Sequence, residues 1–123
     1  MLQVLIVDDS PMFRQVVREL LLSHFSLFQV AEAGDGEEAL AGLARLEPEL
    51  IIMDVRLPGE SGIALTRKIK TAHPNSAIII LTSFNLPEYR EAALLNGADY
   101  FLPKNIPSIE LIKAVERVIQ VHR

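Results

Sequence analysis

The stretch VLIVDDSP, residues 4–11, decides how the rest of this chain is read. Val4, Leu5, Ile6 and Val7 form a short apolar run that suits a strand buried on both faces. The run ends on two adjacent carboxylates, Asp8 and Asp9. Ser10 followed by Pro11 then marks a helix start, because serine caps free amides and proline fits the first turn. Asp9 is an alternative cap. The acidic pair therefore sits at the carboxyl end of a strand, where two like charges need either a partner or a task.

The same alternation recurs downstream. LFQVAEA (27–33), LIIMD (50–54), AIIILTS (77–83) and ADYFL (98–102) join LQVLIV (2–7) as strands of the kind buried on both faces. Helical spacing lies between them. Phe13, Val16, Val17, Leu20 and Leu21 form one apolar stripe. Asp35 with Glu38 reads as a capping box, followed by Ala39, Leu40, Leu43 and Leu46 and stopped by Pro48. Ile63, Leu65 and Ile69 anchor a third helix that ends near His73. Pro87 opens a fourth, with Tyr89, Ala92 and Ala93 inward and Gly97 as a left-handed cap. Pro107 opens the last, with Ile109, Ile112, Val115 and Ile119 as its stripe. This order predicts an α/β fold: a parallel five-stranded sheet between two helical layers, joined by right-handed crossovers. Ligands of such sheets bind at the carboxyl ends of the strands.

Composition narrows the function classes. The 123 residues favour one domain, residues 1–123, and at 50% hydrophobic they can fill a core. A net charge of -4 argues against non-specific binding to nucleic acid or an anionic membrane. With no cysteine there is no disulfide framework and no thiolate metal site. No basic leader precedes an apolar segment, and no apolar run reaches transmembrane length. The expectation is a soluble cytoplasmic domain.

Polar groups gather at the strand ends. Asp8 and Asp9 follow the first, Asp54 the third, Thr82 and Ser83 the fourth, and Lys104 the fifth. Three carboxylates, a hydroxyl and an amine are thus expected to share a shallow cleft. Clustered carboxylates raise each other's pKa unless something neutralises them. Mg²⁺, with its preference for oxygen ligands, does this well, and Lys104 offsets one more charge. The same parts suit phosphoryl transfer, with one carboxylate as nucleophile and the cationic and hydroxyl groups holding the equatorial oxygens. His24, His73 and His122 lie in or beside helices, away from this edge. Taken singly, an aspartate after a strand is usually a turn or cap, a lysine is usually surface, and Phe101 is usually core. Their arrival on one edge favours a site.

IVDDSP, IIMDVRLPGESG, IIILTS and GADYFLPKN occur in the order and spacing of one family, and the chain resembles a CheY-like receiver domain of bacterial two-component response regulators. The resemblance covers essentially the whole chain. It implies a flavodoxin-like (βα)₅ fold with strand order 2-1-3-4-5. It implies that Asp54 is the phospho-acceptor and that Asp8 and Asp9 organise Mg²⁺, with Asp9 the more direct ligand. The backbone carbonyl of Arg56 completes that ligand set. Thr82 turns towards the phosphoryl group, Lys104 pairs with it, and Phe101 is the aromatic that moves inward on activation. The resemblance further implies that the donor is a histidine kinase or phosphotransfer protein, and that the domain is a phospho-acceptor assisting its own phosphorylation and dephosphorylation rather than an enzyme. LTSFNLPEYREAALLNGADYFLPKN further resembles receivers of helix-turn-helix transcription factors, although no DNA-contacting element lies in this segment. The sequence does not decide the oligomeric state; the two surfaces open to pairing with a second copy are the fourth helix, fifth strand and fifth helix, or helices one and five.

Around Asp54 the residues have their own logic. Leu57, Pro58 and Gly59 make a turn, and Gly62 permits a close approach where the third helix opens. Two features depart from the family or individualise this chain. Lys104 is followed by Asn105, where the family usually has proline on a cis bond. Arg56 and Phe84 stand two residues after Asp54 and Thr82, where side chains tune hydrolysis of the phospho-aspartate; a cation and a bulky ring there predict a long-lived phosphoryl group. The competing readings are a phosphorylation-independent adaptor, an aspartate-nucleophile hydrolase and a flavodoxin. The complete acidic set with its threonine and lysine argues against the first, the DDS in place of DxD against the second, and an anion-repelling DDSPMF against the third.

Overall fold

The computed structural model describes residues 2–121, so His122 lies outside the described residues. The elements alternate as β1 (Leu2–Val7), α1 (Pro11–His24), β2 (Phe28–Ala33), α2 (Gly36–Leu46), β3 (Leu50–Met53), α3 (Gly62–Ala72), β4 (Ala77–Thr82), α4 (Pro87–Leu95), β5 (Tyr100–Pro103) and α5 (Ser108–Val121). All strand pairs are parallel, in the order β2-β1-β3-β4-β5. This is the three-layer, flavodoxin-like arrangement expected from the sequence.

The period of a strand sorts the core into two halves. Val4 and Ile6 of β1 join Leu50, Ile52, Ile79 and Leu81 on one face of the sheet, covered by Val17 and Leu21 of α1 and Leu111, Val115 and Val118 of α5. Leu5 and Val7 join Ile51, Met53, Ile78 and Ile80 on the other, covered by Ala39 and Leu43 of α2, Leu65 and Ile69 of α3 and Ala93 of α4. Burial on both faces is why β1, β3 and β4 read as continuous apolar runs.

The sheet edges correct the expectation of five doubly buried strands. β2 lies at one edge with only Ala33 fully buried, and it starts at Phe28 because Leu27 is exposed in the preceding turn. β5 forms the other edge and begins two residues later than expected, since Ala98 is used in the turn out of α4, where its N–H donates to the Ala93 carbonyl. Pro103 ends β5, a position an edge strand tolerates. The helical stripes are also narrower than expected. Val16 and Ile109 are exposed, because the faces that meet the sheet run through Val17 and Leu21 in α1 and through Leu111, Ile112, Val115 and Val118 in α5. The start of α2 follows the expected pattern, with Asp35 accepting from the Glu38 N–H; the returning Glu38 carboxylate accepts from Gly34 N–H, one residue before the cap.

Candidate functional site

Ladder register delivers the polar residues to one edge. The β1–β3 pairing ends at Val7 opposite Met53, and one further bond, from Asp54 N–H to the Val7 carbonyl at 3.0 Å, sets Asp54 beside Asp8. The β4–β5 pairing ends at Thr82 opposite Pro103, and the Lys104 N–H extends it to the Thr82 carbonyl at 2.8 Å. Gly62 lets the chain fold back over Asp54: a Cβ there would lie 2.0 Å from the Asp54 carbonyl oxygen. Only glycine fits so close to backbone.

Lys104 holds the centre. Its Nζ lies 2.8 Å from Asp8 Oδ2 and 3.0 Å from Asp54 Oδ2. The other oxygens are also engaged, Asp8 Oδ1 by the Ser10 N–H at 2.9 Å and Asp54 Oδ1 by the Val55 N–H at 2.7 Å. Both carboxylates are buried. Burial pushes the Asp8 carboxyl above its ordinary value, and the bonds from Lys104 and Ser10 offset this only in part. For Lys104 burial acts to lower the pKa, yet its bonds to Asp8 and Asp54 outweigh it and hold the ammonium above its ordinary value. The two directions agree with one lysine divided between two buried acids. The ammonium gains two anions, while each anion gains a share of one cation.

The remaining sequence candidates are placed less uniformly. Asp9 is exposed and stands apart from the buried pair, and among the described residues no group of three Asp, Glu, His or Cys side chains converges on a single metal position. Asp9 is not the helix cap either, because Ser10 Oγ accepts from the Phe13 N–H at 3.1 Å. Thr82 is fully buried and its Oγ1 accepts from the Phe84 N–H at 3.2 Å, which leaves its own proton to donate. Phe101 points into the core on the α4 side, and its carbonyl accepts from Arg90. The Arg56 guanidinium stacks over the Phe84 ring at 4.2 Å, joining the two loops that follow β3 and β4. The described residues contain no cis peptide, so the Lys104–Asn105 bond is trans.

Two further residues reach the site that spacing alone did not single out. Arg14 donates from Nη1 to the Asp8 carbonyl at 2.5 Å and pairs through Nε with Glu32 at 2.9 Å. The Phe13 ring faces the Lys104 ammonium at 4.1 Å. A signal existed: side chains in the first turn of a helix lean towards its N-terminus, and the N-terminus of α1 is the site.

The donor set suits a hard divalent cation. Two buried carboxylates, Asp8 and Asp54, share one ammonium, which leaves one net negative charge on oxygen ligands at this edge, and Asp9 follows Asp8 directly in the chain with its side chain exposed.

Comparison with known proteins meets this geometry. The response regulator receiver domain family matches residues 4–116, and the chain belongs to that family. It is 36% identical over 118 residues to the DNA-binding transcriptional activator DevR/DosR of Mycobacterium tuberculosis, covering 96% of this chain and 54% of that protein. The chain spans about half the length of the curated relatives it matches. Among solved structures, a LuxR-family DNA-binding response regulator from Staphylococcus aureus superposes with a TM-score of 0.88 at 28% identity, covering 96% of this chain and 98% of that one. The chemotaxis response regulator CheY4 of Vibrio cholerae gives 0.85 at 32% identity, covering 96% and 98%. Among the described residues no helix is long and apolar enough to cross a membrane.

Proposed function

We propose that residues 1–123 form one receiver domain that acts as a phosphorylation-dependent switch, with Asp54 accepting a phosphoryl group from a phosphohistidine on a histidine kinase or phosphotransfer protein. The observation that carries this reading is the bridge from Lys104 to both Asp8 and Asp54. An Asp54 oxygen forms the new O–P bond as the donor's N–P bond breaks. That bond's electron pair returns to the imidazole nitrogen, which takes up a proton. Lys104 faces the oxygens on which charge develops, and Thr82 supplies a hydrogen-bond donor to the same group. Asp8, Asp9, Asp54 and the Arg56 backbone carbonyl would hold Mg²⁺, which neutralises charge on the transferring group when bound.

Once Asp54 carries the phosphoryl group, its added charge and acceptor oxygens draw Thr82 and Lys104 towards it. Phe101 is already buried in the core cluster that contains Ala93, so a coupling from Thr82 to the surface of α4, β5 and α5 would run through its packing there and not through an inward swing from solvent. The Arg56–Phe84 stack, seated between the two loops, supports slow access of water and a long-lived phosphoryl group. Hydrolysis, when it occurs, uses the same residues in this domain. The relatives named for transcription support a role as the regulatory domain of a cytoplasmic LuxR-type transcription regulator, with self-association through α4–β5–α5 or α1 and α5 and no direct contact to DNA from this segment. Exposed Leu94 and Leu95, or Met12 and Val16, provide apolar surface for that association.

Intact mass after incubation with acetyl phosphate and Mg²⁺ tests the chemistry. One phosphoryl group is expected on the parent and none on Asp54→Asn. An Asp54→Asn variant that still takes the group, or a parent that never does, ends this reading.

A further inference from the structure

An ammonium has three N–H bonds. Those of Lys104 meet Asp8 Oδ2 and Asp54 Oδ2, and the ring of Phe13 lies 4.1 Å from Nζ. We infer that Phe13 is a positioning residue for phosphoryl transfer: its ring face seats the Lys104 ammonium. This rests on the reading of Asp54 as the phospho-acceptor.

The seat is built by the start of α1. Ser10 is the cap, and its hydroxyl oxygen accepts from the Phe13 N–H at 3.1 Å, which fixes the backbone of Phe13 in the first turn. Side chains there lean back past the helix end, over the carboxyl edge of the sheet. Phe13 is half-buried, with part of its surface packed against the cluster beneath α1 and α5. One ring thus meets apolar core and an ammonium together.

The need for a seat follows from the chemistry. Lys104 is a compact charge on a flexible four-carbon stem, and its two strong anchors are carboxylates. As an Asp54 oxygen bonds to phosphorus and the donor's bond to phosphorus breaks, the carboxylate gives up its charge to the acyl phosphate. One anchor of Lys104 therefore weakens when the ammonium must face the phosphoryl oxygens. The negative face of the Phe13 ring does not change during transfer, so it holds Nζ before and after the step. No proton passes through either residue. The ring also denies water one approach to the ammonium, which strengthens the remaining contacts.

A ring that merely fills space and a ring that attracts a cation differ in one measurable respect. Fluorination drains the negative face at nearly constant shape. The test is the rate of phosphorylation by acetyl phosphate with Mg²⁺, in the chain carrying mono-, di- and trifluorinated phenylalanine at position 13, beside Phe13→Tyr and Phe13→Leu. The rate should fall stepwise with each fluorine while Tm stays fixed. Phe13→Tyr should hold within about twofold, and Phe13→Leu should lose about three- to tenfold. A flat fluorine series overturns the seat even if Phe13→Leu is slow, because that loss would then be packing. A parent that shows no phosphoryl group on Asp54 by intact mass overturns the underlying reading instead.

Discussion

Helices α1 and α4 begin alike and are held differently. Each carries proline in its first turn, and each follows a strand that ends at the site. α1 runs for 14 residues, is capped by Ser10, buries Val17 and Leu21, and sends Arg14 and Arg18 to Glu32 on β2. α4 runs for nine residues, is preceded by Leu86, whose side chain makes no cap bond, fully buries only Ala93, and leaves Leu94 and Leu95 exposed. The helix that frames the acidic pair is thus fixed at both ends. The helix that follows the Thr82 hydroxyl is held through a narrower buried face, Ala93 with the partly buried Tyr89, and through the bond from Arg90 to the Phe101 carbonyl. The proposed switch needs a rigid site and an element of low local stability, and the narrower buried face of α4 makes it the helix to test for the second role.

The contrast is broken most readily at Leu21. It is fully buried beneath α1, so Leu21→Ala leaves a cavity and should lower stability by about 2–5 kcal/mol. Urea unfolding measures this, and a loss below about 1 kcal/mol would take α1 out of the rigid half. A smaller effect is expected at the cap. Ser10→Ala removes the acceptor for the Phe13 N–H and should lower stability by about 1 kcal/mol. The Ser10 backbone N–H still donates to Asp8 Oδ1 in that variant, so phosphorylation of Asp54 should persist. Loss of phosphorylation with an unchanged melting curve would show that the cap and the acidic geometry are one device.

The third variant adds to α4 what α1 already has. Leu86 is 44% exposed and lies in the extended region, with φ -106 and ψ 141, and because the Tyr89 N–H already donates to the Leu86 carbonyl at 3.1 Å, a serine there is placed to accept from the Glu88 N–H. Leu86→Ser should stabilise α4 by roughly 0.5–1 kcal/mol. Amide hydrogen exchange should slow across α4 and stay the same across α1. Exchange that is already as slow in α4 as in α1 of the parent would contradict the contrast directly.

What the sequence made legible follows the same division. β1, β3 and β4 were readable because burial on both faces leaves an unbroken apolar run, and their ends carried Asp8, Asp54 and Thr82 to one edge without ambiguity. β2 and β5 shifted by a residue or two because edge strands mix exposed and buried positions, so a run of letters no longer marks its own ends. Val16 and Ile109 look like their buried neighbours, and only the angle at which each helix meets the sheet sends them outward. At the site, the bridge from Lys104 to Asp8 and Asp54 was foreseeable from strand ends alone. The separation of Asp9 from that pair, the Arg14 hold on the Asp8 carbonyl and the Phe13 ring were not, because each depends on how α1 starts in three dimensions.

The smallest effect tests the comparison most sharply, because it asks for almost nothing. Leu95 is 86% exposed at the end of α4, so removing its side chain deletes few contacts within the chain. Leu95→Ser should change stability by less than about 0.5 kcal/mol, the range of open surface positions. The same replacement at Leu21 would strand a hydroxyl in the core and unfold a good part of the population. The two leucines are indistinguishable by residue type and each lies in the last turns of its helix, so the difference between them measures how each helix is held. A loss above about 1 kcal/mol at Leu95, in dilute protein, would place it in a packed environment. α4 would then be fastened as firmly as α1, and the movable half would have to be sought in the loops after β3 and β4, where Arg56 and Phe84 stack.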